Sequence, residues 1–464
     1  MKRSVSFIYI IIVIVILAVP SVGMIFAKSE WSVETTSLAD PPSFTNEDGS
    51  FNAEVLSDAG DYFEDHFFAR PALITADALI RKNVFASSAN EKIIVGKDGW
   101  YYYDGELPVY QGTGHFSERK LKNIAHNLSL AGDYLDLLGI DMIFTVAPNK
   151  SSLYPEYMPF YMLQGDGPSD AERLKPYLEQ EGIVYADLFE AFGENGEELY
   201  FKEDTHWNNA GALLAYDTIM EAASDNFGVH EDRSKTDAEQ PAARDDHSGD
   251  LAEMLTPEAV TPETDYYYDG PAFSYVTDTE DNMDDLIETH CNEGTGNLYM
   301  FRDSFGASLL PFFAQEYEDA TFSRLVPYSL SQALVSGADT VIIERAERNL
   351  SSFAETPPLM SAPAVSLPED AEILTDGAEF DIREDGAYLV IEGSVDERYF
   401  SDNTEIYVLV YDENTETETV FRPFYISADS DENGGKTDDN RFMAYIMPGD
   451  STADDLTVRI AVTE

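Results

Sequence analysis

Leu121, Ile124, Leu128, Ala131, Leu135 and Leu138 recur at spacings of 3, 4, 3, 4 and 3, the period that lines one face of an α-helix. Ser117 suits the N-cap, Glu118 the positive end of the helix dipole and Gly139 the C-terminal stop. Just beyond, Met142-Ile143-Phe144-Thr145-Val146 is an unbroken apolar run, which reads as a strand buried on both faces. Further strands are expected at 183–185, 298–301 and 340–343, and helices at 209–224, 306–315 and 330–336. The expected fold class is therefore α/β: a largely parallel sheet with flanking helices, whose working loops gather at the carboxyl ends of the strands.

Lys2 and Arg3 precede an uncharged apolar stretch over 7–27. A bilayer is crossed by a helix of about 20 such residues, and the basic pair sets its cytoplasmic end. Residues 1–27 thus read first as an uncleaved membrane helix. A signal peptide cleaved near Ser21-Val22-Gly23 is the alternative, and either one exports the remainder of the chain. Residues 28–95 form a polar tether and an aromatic-rich helical lead-in, and 93–95 with 100–103 bracket Gly96 and Gly99 as a β-hairpin. The α/β domain is expected over 96–355, with an acidic, irregular insertion at 231–296 that is a solvated loop or a flap over the site. Pro357, Pro358, Pro363 and Pro368 mark a linker over 356–369. From 370 to 464 the pattern turns to short β runs at 388–391, 406–411, 420–426, 443–447 and 456–462, so a small C-terminal β-sandwich is expected.

With 28 basic against 88 acidic residues the formal charge is −60. That argues against nucleic acid, whose phosphates need clustered Lys and Arg, and disfavours a polyanionic partner. The single cysteine, Cys291, excludes an internal disulfide and a cysteine-rich metal site. No metal and no cofactor are expected.

Two short motifs fall at element junctions. Asp204-Thr205-His206-Trp207 ends a loop, and Asn208 can cap the helix after it. An Asp two residues before a His can bend back onto the ring's Nδ1–H, fix the tautomer and leave Nε2 free as a base. An incidental surface hydrogen bond is the plainer reading. In Phe301-Arg302-Asp303-Ser304-Phe305-Gly306 an apolar strand turns into a helix. The Ser304 hydroxyl points out of such a turn, and its own N–H, with the helix dipole, faces an oxyanion formed on attack. A simple N-cap is the alternative there.

These motifs occur with Ala147-Pro148-Asn149-Lys150-Ser151, Tyr154-Pro155-Glu156, Gly96-Lys97-Asp98-Gly99-Trp100, Asp65-His66-Phe67-Phe68-Ala69-Arg70 and Gly249-Asp250-Leu251. In order and spacing the set resembles the SGNH-hydrolase-like domains of the alginate O-acetyltransferase (AlgJ/AlgX-like) type, and the related DHHW proteins, over about residues 55–350. The resemblance implies an SGNH-like α/β domain in which Asp and His precede Ser. Carried over by motif, Ser304 is the nucleophile, His206 the base and Asp204 its orienting partner. Arg302-Asp303-Ser304 stands where ordinary members have Gly-Asp-Ser, and an Asp303 carboxylate beside the nucleophile opposes an oxyanion unless it points away. Asn149 and Lys150 are candidates to place an amide or a cation near the acyl oxygen, with Lys150 as a loop-positioning residue the alternative. Arg302 is a further candidate for substrate or oxyanion binding, and Trp207 is either a sugar platform or a packing residue. His66, His115, His126, His230, His247 and His290 show no mutual ligand spacing and read as structural or exposed.

The function so implied is an exported, membrane-tethered O-acyltransferase, above all an O-acetyltransferase, modifying a cell-surface or secreted polysaccharide through an acyl-Ser304 intermediate. The family implies a multi-pass membrane O-acyltransferase partner that supplies acyl groups, and the charge favours a neutral or cationic acceptor glycan. Two alternatives stand beside it: a carbohydrate esterase using the same triad on water, and a non-catalytic glycan-binding component of a polysaccharide export complex. The C-terminal β domain is a carbohydrate-binding accessory or a structural cap.

Overall fold

The structure is a computed structural model that describes every residue except 1, 27–37, 47–48, 86, 230–236, 280, 429–437, 448, 450 and 464. The first ten residues of the expected tether, His230 and the start of the acidic insertion therefore lie outside the described residues.

Helix α1 (Glu118–Leu137) is capped by the Ser117 hydroxyl, which accepts the Lys120 N–H at 2.9 Å, and Gly139 turns the chain away with φ +73°. It leads into β1 (Asp141–Ala147), followed by β2 (Tyr185–Ala186), α2 (Asn209–Phe227), β3 (Phe273–Tyr275), β4 (Leu286–Cys291), β5 (Asn297–Phe301), α3 (Gly306–Glu316), β6 (Asp319–Ser323) and β7 (Thr340–Ala346). The seven strands make one sheet in the order β2-β1-β7-β5-β6-β4-β3. The β2-β1, β1-β7, β7-β5 and β5-β6 pairings are parallel. β6-β4 and β4-β3 are antiparallel, so the sheet is mixed at one edge.

Alternate residues of the central strands feed two cores. Phe144, Val146, Tyr299, Phe301, Val341 and Ile343 pack towards α1. Ile143, Ala147, Leu298, Met300 and Ile342 pack with residues of α2 and α3. Burying each such aliphatic or aromatic side chain contributes about 1.5–3 kcal/mol, which is why these strands read as continuous apolar runs. Residues 149–150, 302–305 and 347–349 all follow the carboxyl ends of parallel strands, where an α/β sheet gathers its working loops.

Beyond 363 a five-stranded and a four-stranded antiparallel sheet face each other across Ile391, Val408, Phe442 and Ile460. The expected run at 420–426 is two strands in different sheets, Thr417–Phe421 and Phe424–Ala428, because Pro423 between them has no N–H for a ladder. The expected linker contributes too: Ala364–Val365 pairs with Thr417–Phe421. This unit sits on α1 through buried polar bonds. Asn127 Nδ2 donates to the Tyr425 carbonyl at 2.8 Å and its Oδ1 accepts the Tyr425 N–H at 2.9 Å, while the same Nδ2 donates at 2.8 Å to the carbonyl of Phe353 in the helix Ser352–Glu355. His126 Nε2 is 2.9 Å from the Pro423 carbonyl and its ring stacks on Tyr425. Burial pulls it down to about 3, so it stays neutral.

Two expectations need correction. The N-terminal segment is helical over Lys2–Phe26, but among the described residues no helix is long and apolar enough to cross a membrane. The acidic insertion is not an irregular loop either. It forms a hairpin of Asp237–His247 with Glu263–Asp269, a short helix Asp250–Leu255, and strands β3 and β4 of the main sheet. Leu286–Cys291 alternates, with Ile287, Thr289 and Cys291 pointing inward and Glu288 outward.

Candidate active site

Ser304 lies in the turn from β5 to α3. Gly306 makes that turn possible, since a Cβ there would stand 2.6 Å from Arg302 Cβ. His206 comes from the loop before α2, whose first turn Asn208 caps by accepting the Gly211 N–H at 3.0 Å. His206 Nε2 is 2.8 Å from Ser304 Oγ, and His206 Nδ1 is 2.8 Å from Asp204 Oδ1. The same oxygen accepts the His206 backbone N–H at 2.8 Å, so the Asp-x-His triplet folds back on itself. Among the described residues, the structure thus brings together the three side chains that the motifs nominate, although 98 positions separate His206 from Ser304.

The second oxygen of Asp204 is also occupied. His247 Nε2 lies 2.9 Å from Oδ2, and the Asp250 N–H donates to it at 3.0 Å. Gly249 permits that approach, since a Cβ there would lie 2.3 Å from the Glu203 carbonyl oxygen. Asp250 Oδ1 accepts the Thr205 N–H at 2.7 Å, and its Oδ2 stands 3.7 Å from His206 Nδ1. Asp204, His206 and Asp250 can bring ligand-type atoms within 4.8 Å of one another. The four N–H groups already on Asp204 make it a hydrogen-bond hub, and we assign no cation to it.

Charge follows from this packing. Burial alone would lower His206, but the hydrogen bond and charge of Asp204, with Asp250 behind it, outweigh burial and the opposing Arg348 and raise it above the ordinary imidazole value. Burial would raise Asp204, yet its bonds to His206 and His247 hold it well below the carboxylate range. Asp303 points away from Ser304. Its Oδ2 accepts the Ala346 N–H at 2.8 Å and Asn349 Nδ2 at 3.0 Å, and its Oδ1 accepts the Phe305 N–H at 3.0 Å. Against burial, Arg348 and these backbone donors keep it ionised and engaged, which removes the conflict expected beside the nucleophile.

The other nominated residues are differently placed. Lys150 is fully buried and its Nζ donates to the carbonyls of Phe201 (3.1 Å), Lys202 (3.0 Å) and Asp204 (2.5 Å). It positions the loop instead of reaching an acyl oxygen, and burial pulls its ammonium down to about 8. Arg302 turns the other way: its guanidinium donates to the carbonyls of Asn282 (2.6 Å) and Asp284 (3.0 Å) and is lowered to about 10 by burial. Neither substrate nor oxyanion binding fits that orientation. Trp207 is fully buried against Phe192, Tyr200 and Phe305, so it packs and offers no face to a sugar. Asn149 is held by Glu347, which accepts its N–H at 3.0 Å, and by the Arg348 N–H, which its Oδ1 accepts at 3.3 Å. Its Nδ2 is buried and has no hydrogen-bond partner among the described residues.

Sequence reasoning missed His247, Asp250 and Arg348. Asp250 lay inside the noted Gly249-Asp250-Leu251 motif, but without a role. Arg348 follows the charged residues at the end of the apolar strand β7. Its guanidinium lies 5.3 Å from the Phe305 ring centroid, and that ring meets His206 edge-on at 4.8 Å. His247 carried no signal, because its partner is 43 residues away.

Residues 93–293 match the family model of the SGNH hydrolase-like domain, acetyltransferase AlgX. A probable alginate O-acetylase AlgJ from Pseudomonas syringae pv. tomato is 25% identical over 229 residues, covering 46% of this chain and 51% of the relative. The chain thus spans about half the length of the curated relatives it matches. Among solved structures, Bacillus cereus PatB1 aligns with a TM-score of 0.43 at 16% identity, over 56% of this chain and 97% of that one. The O-acetyltransferase domain of Pseudomonas putida AlgJ aligns with a TM-score of 0.39 at 15% identity, over 56% and 91%. Over residues 93–293 the chain is thus similar to AlgX-type SGNH hydrolase-like domains.

Proposed function

We propose that this protein transfers an acyl group, in the first instance acetyl, from a donor through Ser304 to a hydroxyl of a polysaccharide. The observation that carries the reading is the Asp204–His206–Ser304 relay, with both imidazole nitrogens engaged at 2.8 Å. His206 takes the Ser304 proton as Oγ bonds to the donor carbonyl carbon. The acyl–donor bond then breaks, and the leaving group receives that proton from the His206 imidazolium. A sugar hydroxyl next gives its proton to His206 as its oxygen bonds to the acyl carbon, and the acyl–Ser304 Oγ bond breaks as His206 returns that proton to Oγ. We assign the acyl oxygen to the Ser304 N–H and to Asn149 Nδ2, one of the buried donors with no partner among the described residues.

The AlgX-type domain and the relatives described as alginate O-acetylases support a polysaccharide acceptor. The charge of −60 favours a neutral or cationic glycan over a polyanion. A cleft of about 290 Å³ supports the same reading, since Thr113, His115, Ser117, Asp170, Glu347 and Arg348 line it with groups suited to sugar hydroxyls. Arg348 links that cleft to the Phe305 side of the relay. Export is part of the proposal, on the basic-then-apolar N-terminus, and so is a multi-pass membrane O-acyltransferase as the source of acyl groups.

The test incubates the purified protein with a chromogenic acetyl ester, with and without a neutral oligosaccharide. Acetylated oligosaccharide formed by the wild type and not by Ser304→Ala is the expected result. Free acetate alone makes the protein an esterase, and full activity of Ser304→Ala overturns the reading.

A further inference from the structure

Asp204 serves two imidazoles at once, and only one of them belongs to the Ser304 relay. His247 reaches Asp204 Oδ2 from the end of the strand Asp237–His247, and its ring lies flat on Phe201, with centroids 3.6 Å apart and planes 7° apart. Its side chain is 28% exposed, so water can exchange protons with it. The charged groups facing it are Asp204, then Asp265 and Glu263 of the strand Glu263–Asp269, in which Glu263 is its register partner. His206 and Asp250 share the same carboxylate, and the Lys150 ammonium lies behind it on the Asp204 carbonyl.

We propose that His247 is a positioning residue for acyl transfer: a second histidine whose protonation sets how much of the Asp204 charge is left for His206. The proposal rests on the Ser304–His206 reading above. With His247 neutral, its Nε2–H donates to Oδ2 and the carboxylate presents its full charge to His206. A proton added at Nδ1 makes the ring a cation hydrogen-bonded to that carboxylate, and the pair presents little net charge. His206 becomes an imidazolium as it accepts the Ser304 proton, and Asp204 stabilises that cation. A proton on His247 therefore slows the step while leaving Ser304 and His206 in the correct protonation states. The reacting proton still travels from Ser304 Oγ to His206 Nε2, and the His247 proton stays where it is.

The surrounding carboxylates hold His247, like His206, above the ordinary imidazole value in spite of burial. Acid loss of activity thus involves two coupled protons, one removing the base and one weakening its support.

The experiment is the pH dependence of log kcat/KM for the full chain on a chromogenic acetyl ester, for wild type, His247→Gln, His247→Ala and Ser304→Ala. Gln keeps an N–H for Asp204 but takes up no proton. The wild-type acid limb is expected to approach a slope of about two and that of His247→Gln about one. His247→Ala should lose kcat more than it alters KM, with Gln restoring most of the loss. Superimposable wild-type and Gln profiles, or a wild-type slope of one, overturn the proposal. Imidazole NMR titration of the wild type reads the same coupling without a variant: mutually displaced midpoints for His206 and His247 support it, and independent titration sinks it. An inactive Ser304→Ala together with superimposable wild-type and His247→Gln profiles defeats this inference alone, whereas an active Ser304→Ala defeats the site.

Discussion

Glu344 Oε2, on strand β7, accepts the Asp303 N–H at 3.0 Å, so a fully buried carboxyl fixes the residue before the nucleophile. Burial first, and the Asp303 charge second, push Glu344 well above the carboxylate range. A carboxyl raised on folding gives stability that is complete below its unfolded value and is lost as pH rises through the folded one. Glu344→Gln keeps an acceptor and removes that loss. Urea midpoints for the variant should gain on the wild type between pH 5 and pH 8, and a difference independent of pH would refute this.

Asp250 raises His206 by its charge alone, because the Thr205 N–H it binds can be accepted equally by an amide oxygen. Asp250→Asn should therefore move the acid limb of kcat/KM to lower pH while the fold survives. A limb that stays in place, or moves upward, counts against Asp250 as part of the field on the base.

Asn149→Ala removes the buried amide assigned to the acyl oxygen. Losing one oxyanion donor costs about 10²–10³ in kcat. We expect a loss of that order with a much smaller change in KM, measured with the chromogenic ester. A variant within a few-fold of wild type would leave the Ser304 N–H and the helix end to do this work.

Asn127→Leu strips two bonds between α1 and the C-terminal sheets, both to Tyr425, and a third to Phe353 of the helix Ser352–Glu355, and leaves the carbonyls of Phe353 and Tyr425 without their donor. Each unsatisfied buried group costs about 1–3 kcal/mol, so a loss of roughly 3 kcal/mol or more is expected in chemical denaturation. Earlier proteolysis between 356 and 377 should accompany it. An unchanged midpoint would mean that the two units are held by their apolar contacts alone.

Much of this was written in local pattern. The 3-4 period of α1, its Ser117 cap and the apolar run of β1 describe themselves, since each depends on neighbours within one turn or one pleat. The Asp-x-His fold-back was legible for the same reason. β6 was not, because Asp319–Ser323 alternates little and owes its place to pairing with β5 and β4. The direction of a long side chain was equally hidden. Arg302 stands two residues before Ser304 and Lys150 next to Asn149 in sequence, but their charged ends go to main-chain carbonyls, and only the fold says which. Acidic composition misled at 231–296, where strand β4 buries Ile287, Thr289 and Cys291 on one face and leaves its charge on the other.

The excursion from 237 to 291 leaves the domain as a hairpin and re-enters it as strands β3 and β4. Anyone excising it as surplus surface would bare the edge of β6 to intermolecular pairing and strip Asp204 of half its donors. A chimera between such proteins must exchange this stretch whole, together with the 201–204 backbone that Lys150 grips.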